Sequence, residues 1–111
     1  MILELKTYDR SLAFEVMGTD NLSLGKTVEI PGNAKITYNS GLVCKEAFAP
    51  ETVTFVITFG SGVAASVVAN YLYEKLRGKA VDNKIKIDRK IVELDNGKIK
   101  RIIEEKIEIK S

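Results

Sequence analysis

Residues 52–73 read TVTFVITFGSGVAASVVANYLY, and none of them is charged. A run of this kind has few homes. It reaches the ~20 residues that an apolar helix needs to span a bilayer. It also carries Gly60-Ser61-Gly62-Val63-Ala64-Ala65, which fits the G-x-G-x-x-A pattern of a dinucleotide-binding turn. The third home is the packing spine of a small protein.

The membrane reading is open but not favoured. Thr52, Thr54, Thr58, Ser61, Ser66 and Asn70 dilute the run, and ordinary mixed sequence flanks it. The dinucleotide reading takes Val53–Phe59 as a buried strand that leads into the glycine turn and a helix. A full two-half nucleotide domain needs more crossovers than the 111 residues supply after this point.

The packing reading takes a helix from Pro50 to Leu76. Pro50 followed by Glu51 is a good helix start, and Gly78 is a natural stop. Such a helix would be roughly 40 Å long, against a radius of gyration of about 13 Å for a domain of this length. It would be apolar on more than one side, so a second copy or a partner is expected to cover it. The expected contact residues are Val56, Phe59, Gly60, Gly62, Val63, Ala65, Ser66 and Tyr73.

The rest of the chain reads as one α+β domain. Residues 1–49 are β-rich. Ile2-Leu3-Glu4-Leu5 is a first strand, and Thr27-Val28-Glu29-Ile30 pairs with Ala34-Lys35-Ile36-Thr37-Tyr38 across the turn Pro31-Gly32-Asn33. Leu12, Ala13, Val16 and Met17 fit a short helix, while Leu12, Phe14 and Val16 fit a strand equally well. Leu42-Val43-Cys44-Lys45 reads as extended. In residues 84–111, Lys84-Ile85-Lys86-Ile87 and Ile91-Val92-Glu93-Leu94 form a hairpin about Asp88-Arg89-Lys90. Asp95 or Asn96 then caps a short helix through Ile99, Ile102, Ile103 and Ile107, with Ile107-Glu108-Ile109 open to a closing strand. The expected fold is thus a small, mainly antiparallel sheet packed on one long small-residue helix and a short C-terminal helix.

FGSGVAASVVANYLYEKLRG, the K-I-K-I hairpin and VELDNGKIKRIIEEKIEI together resemble small uncharacterised bacterial and archaeal proteins. They are also similar in layout to effector-associated constant component domains, which stand beside conflict-system effectors. The resemblance covers residues 50–109. It implies an interaction module and brings no catalytic residues; together with the packing reading, the expected partner is a second copy of the chain or an effector protein.

The chemistry read from composition is sparse. With no histidine, no Ser-His-Asp or Cys-His pair exists and no histidine metal site can form. One cysteine, Cys44, allows no internal disulfide, which suits a reducing cytoplasm. MILELKTYDR does not read as a signal peptide. Ser61 has no base beside it, and Gly60-Ser61-Gly62 lacks the Lys-Ser/Thr ending of a phosphate loop. The net charge of +2 gives no general affinity for nucleic acid. Abundant Ile, Lys and Glu resemble a thermophile's composition. The expectation is a non-enzymatic, self-associating or adaptor protein with no cofactor.

Overall fold

Alternation decides most of this molecule. The structure, a computed structural model, describes residues 1–40 and 49–110. The elements run β1 (Ile2–Thr7), α1 (Leu12–Met17), β2 (Thr27–Ile30), β3 (Ala34–Tyr38), β4 (Glu51–Phe59), α2 (Ala65–Leu76), a 3₁₀ turn (Val81–Asn83), β5 (Lys84–Ile87), β6 (Lys90–Glu93) and α3 (Asn96–Lys110). The strands form one six-stranded sheet in the order β2-β3-β4-β1-β5-β6, and every neighbouring pair is antiparallel.

The α+β class holds. The helix over residues 50–76 does not. Residues 51–59 are strand β4, and the helix begins only at Ala65. The physical reason lies in the spacing. Val53, Phe55 and Ile57 recur every second residue and are buried, while Thr52, Thr54, Val56 and Thr58 point the other way. Thr, Val and Ile at six of these seven positions also fit a pleated surface better than a helix. Gly60-Ser61-Gly62 then separates strand from helix, so Pro50 precedes a strand and is not a helix start. The terminal helix α3, at 15 residues, is longer than α2, at 12. Ile107-Glu108-Ile109 belongs to α3 and forms no strand. Of the two readings of residues 12–17 the helix is the one formed. Leu42-Val43-Cys44-Lys45 lies outside the described residues.

Two crossovers skip a strand. From β1 the chain passes through α1 and β2 to β3, with β4 between β1 and β3. From β4 it passes through α2 to β5, with β1 between. Elements β1, α1, β3, β4, α2 and β5 therefore make the split βαβ, ferredoxin-like arrangement. Strands β2 and β6 extend it at the two edges.

All the buried strand side chains lie on one face. Leu3 and Leu5, Ile36, Val53, Phe55 and Ile57, and Ile85 and Ile87 share a core with Leu12 and Val16 of α1, Leu72 and Leu76 of α2, and Ile99 and Ile103 of α3. Helix α2 lies between α1 and α3. The Tyr71 hydroxyl donates to the Val16 carbonyl at 2.5 Å, tying α2 to α1. Burial of that phenol raises its pKa.

Candidate interaction surface

Among the described residues, the helices cover one face of the sheet and leave the other uncovered. Register gives the uncovered face row by row. Ile2 stands opposite Val56, which stands opposite Thr37, which stands opposite Thr27. In the next row along β1, Glu4 lies between Thr54 and Lys86, and Lys86 faces Ile91. The surface is a lattice of threonine, lysine and glutamate with three aliphatic side chains in it. Ile91 is 67% exposed and Ile2 46%, while Val56 is half-buried.

Its charges are matched across strands. Lys86 Nζ lies 3.8 Å from Glu4, Glu29 stands opposite Lys35, and Lys84 stands opposite Glu93. A shallow cleft of about 290 Å³ runs here beside Glu4, Lys6, Asp82, Lys84, Lys86 and Ile91. The aromatic residues of the strands fall on the other parity. Phe55 is fully buried, and Tyr38 and Phe59 pack against the core. Among the described residues the uncovered face carries no aromatic ring of the kind on which single-stranded nucleic acid stacks.

The contact residues expected from sequence do not form one surface. Val56 sits on the uncovered face, while Phe59 takes the helix-facing parity at the end of β4. Val63, Ala65 and Tyr73 are half-buried and pack on the domain's own core. Ser66 is exposed beside the loop. The outward stripe of α2 carries Ser66, Val67, Asn70 and Glu74, so its small residues do not present an apolar face to solvent.

The glycine loop is held by the molecule's own β2–β3 turn. Gly60 N–H donates to the Asn33 carbonyl and Ala64 N–H to the Gly32 carbonyl, each at 2.9 Å, and the Asn33 side-chain amide donates to the Ser61 carbonyl. The approach is close. A Cβ on Gly32 would stand 2.6 Å from Val68 Cγ2, and one on Gly60 would stand 2.9 Å from the Asn33 oxygen. Gly62, by contrast, adopts φ +74° in open space, with nothing within 4 Å of a Cβ placed there. It is a turn residue, and no neighbour stands where a side chain would begin.

At the opposite edge, Asp88 fixes the β5–β6 turn. Its Oδ1 accepts from the Ile2 N–H at 2.8 Å, its own N–H donates to the Ile2 carbonyl at 2.9 Å, and Lys106 of α3 ion-pairs with its Oδ2. Partial burial pushes the carboxyl pKa up. The Ile2 N–H and the Lys106 ammonium outweigh it and hold the group below its ordinary value. Asp95 Oδ2 accepts from Lys98 N–H at 3.0 Å and caps α3.

The sequence reading missed Ile2 and Ile91 as surface residues. The signal was present in the alternation of every strand, since amphipathic strands covered on one side only must leave a second face bare. Among the described residues no group of three or more His, Cys, Asp or Glu could hold a metal ion, and no helix is long and apolar enough to cross a membrane. Comparison with family models, with curated proteins and with solved structures returned no match to this chain.

Proposed function

We propose that this protein is a non-enzymatic, self-associating adaptor of the cytoplasm that docks through its sheet. The observation that carries this reading is the sheet covered by helices on one face only, with Ile2, Val56 and Ile91 exposed or half-exposed on the other. Contact through the helix of residues 65–76 loses its support, because the apolar side of that helix is used inside the domain. The likeness to effector-associated domains favours an effector protein as the other partner. The nucleotide reading is weakened by the Gly60 and Ala64 N–H groups already bonded to the β2–β3 turn, and by a sheet without adjacent parallel strands.

Light scattering after size exclusion, over a wide concentration range, tests self-association. A mass rising towards a discrete oligomer is expected. A monomeric mass up to millimolar protein overturns the self-association reading.

A further inference from the structure

We infer that two copies of this chain join through β6, edge to edge and antiparallel, with Ile91 on the two-fold axis. This rests on the self-association reading and adds the place and the register.

Strand β6 is the last strand on its side of the sheet. Ile87 and Lys90 close a two-residue turn, with Asp88 at φ 48° and Arg89 at φ 73°. Such a closing pair exchanges both backbone hydrogen bonds, and the bonded pairs then alternate along the hairpin. The Leu94 N–H bond to the Asn83 carbonyl at 2.8 Å confirms the alternation four residues further on. Lys90 and Val92 therefore spend their N–H and C=O on β5. Ile91 and Glu93 turn theirs to the free edge, where no described strand meets them.

Antiparallel pairing places outward-facing residues opposite one another, so few registers are allowed. Centring on Glu93 sets two carboxylates face to face. Centring on Val92 sets Ile91 against a glutamate. Centring on Ile91 sets the two isoleucines against each other and brings Arg89 of each copy, in the turn just before β6, to the end of the other copy's strand at Glu93. Only this register matches apolar with apolar and plus with minus, and like charges directly opposite are destabilising.

Ile91, at 67% exposed, carries the largest exposure among the large hydrophobic side chains described. Glu93 also lies 3.6 Å from Lys98, but both side chains are more than half exposed. That pair is weak, and the carboxylate keeps room for a second cation. The other edge is unsuited. By the same alternation, fixed there by the Tyr38 N–H bond to the Lys26 carbonyl, the outward residues of β2 are Thr27 and Glu29, and Pro31 follows the strand at once.

Sedimentation equilibrium across protein concentration, on the full chain and four variants, tests the proposal. Ile91→Pro removes an N–H that β5 does not use, so the monomer keeps its hairpin while the dimer weakens by about tenfold or more. Arg89→Glu and Glu93→Arg should each weaken the dimer several-fold, and the double variant should restore it. These two positions are exposed, so they report even if Ile91→Pro fails to fold. A dimer unaffected by the single charge reversals overturns the β6 contact and leaves self-association standing. A double variant as weak as the singles overturns the register. A wild-type chain monomeric at every concentration overturns both this inference and the reading beneath it.

Discussion

Residues 52–58 of β4 belong to one uncharged run, yet the two faces of the strand meet opposite fates. Val53, Phe55 and Ile57 are at most 4% exposed beneath the helices, while Thr52, Thr54, Val56 and Thr58 line the uncovered side. Adjacent residues 55 and 56 differ by one step of the pleat and by almost everything else. Hydrophobicity along a chain is thus a poor guide to interfaces. What counts is which parity the helices take, because the remaining parity is the surface available to a partner.

The sharpest way to break this contrast is Phe55→Ala. Phe55 is completely buried and packs near Tyr38 with ring centres 6.2 Å apart. Its truncation should cost about 3–5 kcal/mol of unfolding free energy in urea titration. A loss below about 0.5 kcal/mol, the size expected of an ordinary surface change, would mean that the helix-facing core is not what holds the sheet. Next is Gly32→Ala. It combines φ +95° with a Cβ 2.6 Å from Val68 Cγ2, so roughly 2 kcal/mol should be lost, together with a shifted β2–β3 turn in amide NMR spectra.

Asp88→Asn tests the edge of the sheet and not its centre. At neutral pH it should cost about 1–2 kcal/mol, the range of a charge-assisted hydrogen bond discounted for partial exposure. The native carboxyl is held below its ordinary value by the Ile2 N–H and the Lys106 ammonium. Its contribution is therefore present above that value and is lost as pH falls through the lower native one. Wild type and variant should converge in stability as pH drops into that range. A constant gap would show that the charge of Asp88 is not what holds Ile2 and Lys106. The smallest effect is expected at the uncovered face. Val56→Thr should change monomer stability by no more than about 0.5 kcal/mol, and a larger thermal shift would mean that this face is covered after all.

Some of this was legible in the letters. Pro31-Gly32-Asn33 and Asp88-Arg89 mark the two hairpins, and Asp95 marks the start of the last helix, because turn and cap chemistry is local. Ile99 and Ile103 fall on the buried stripe that helical spacing assigns them. The β4–α2 boundary was harder. Small and β-branched residues over 52–64 satisfy a helical stripe as well as a pleat when no charge breaks the pattern. The alternation of Thr with Val, Phe and Ile was the better signal, and the helix expected over residues 50–64 came from passing over it.

The sequence by itself determined where the chain turns, which residues alternate, and that no histidine chemistry is possible, since each of these depends on neighbours in the chain or on residue type alone. Only the tertiary structure decided that β1 lies between β4 and β5, that the Gly60–Ala64 loop is tied to the β2–β3 turn, and that Ile91 is left at a bare edge. These depend on strand order, and strand order is set by which long-range pairing lets every helix bury its apolar stripe on a single face of the sheet.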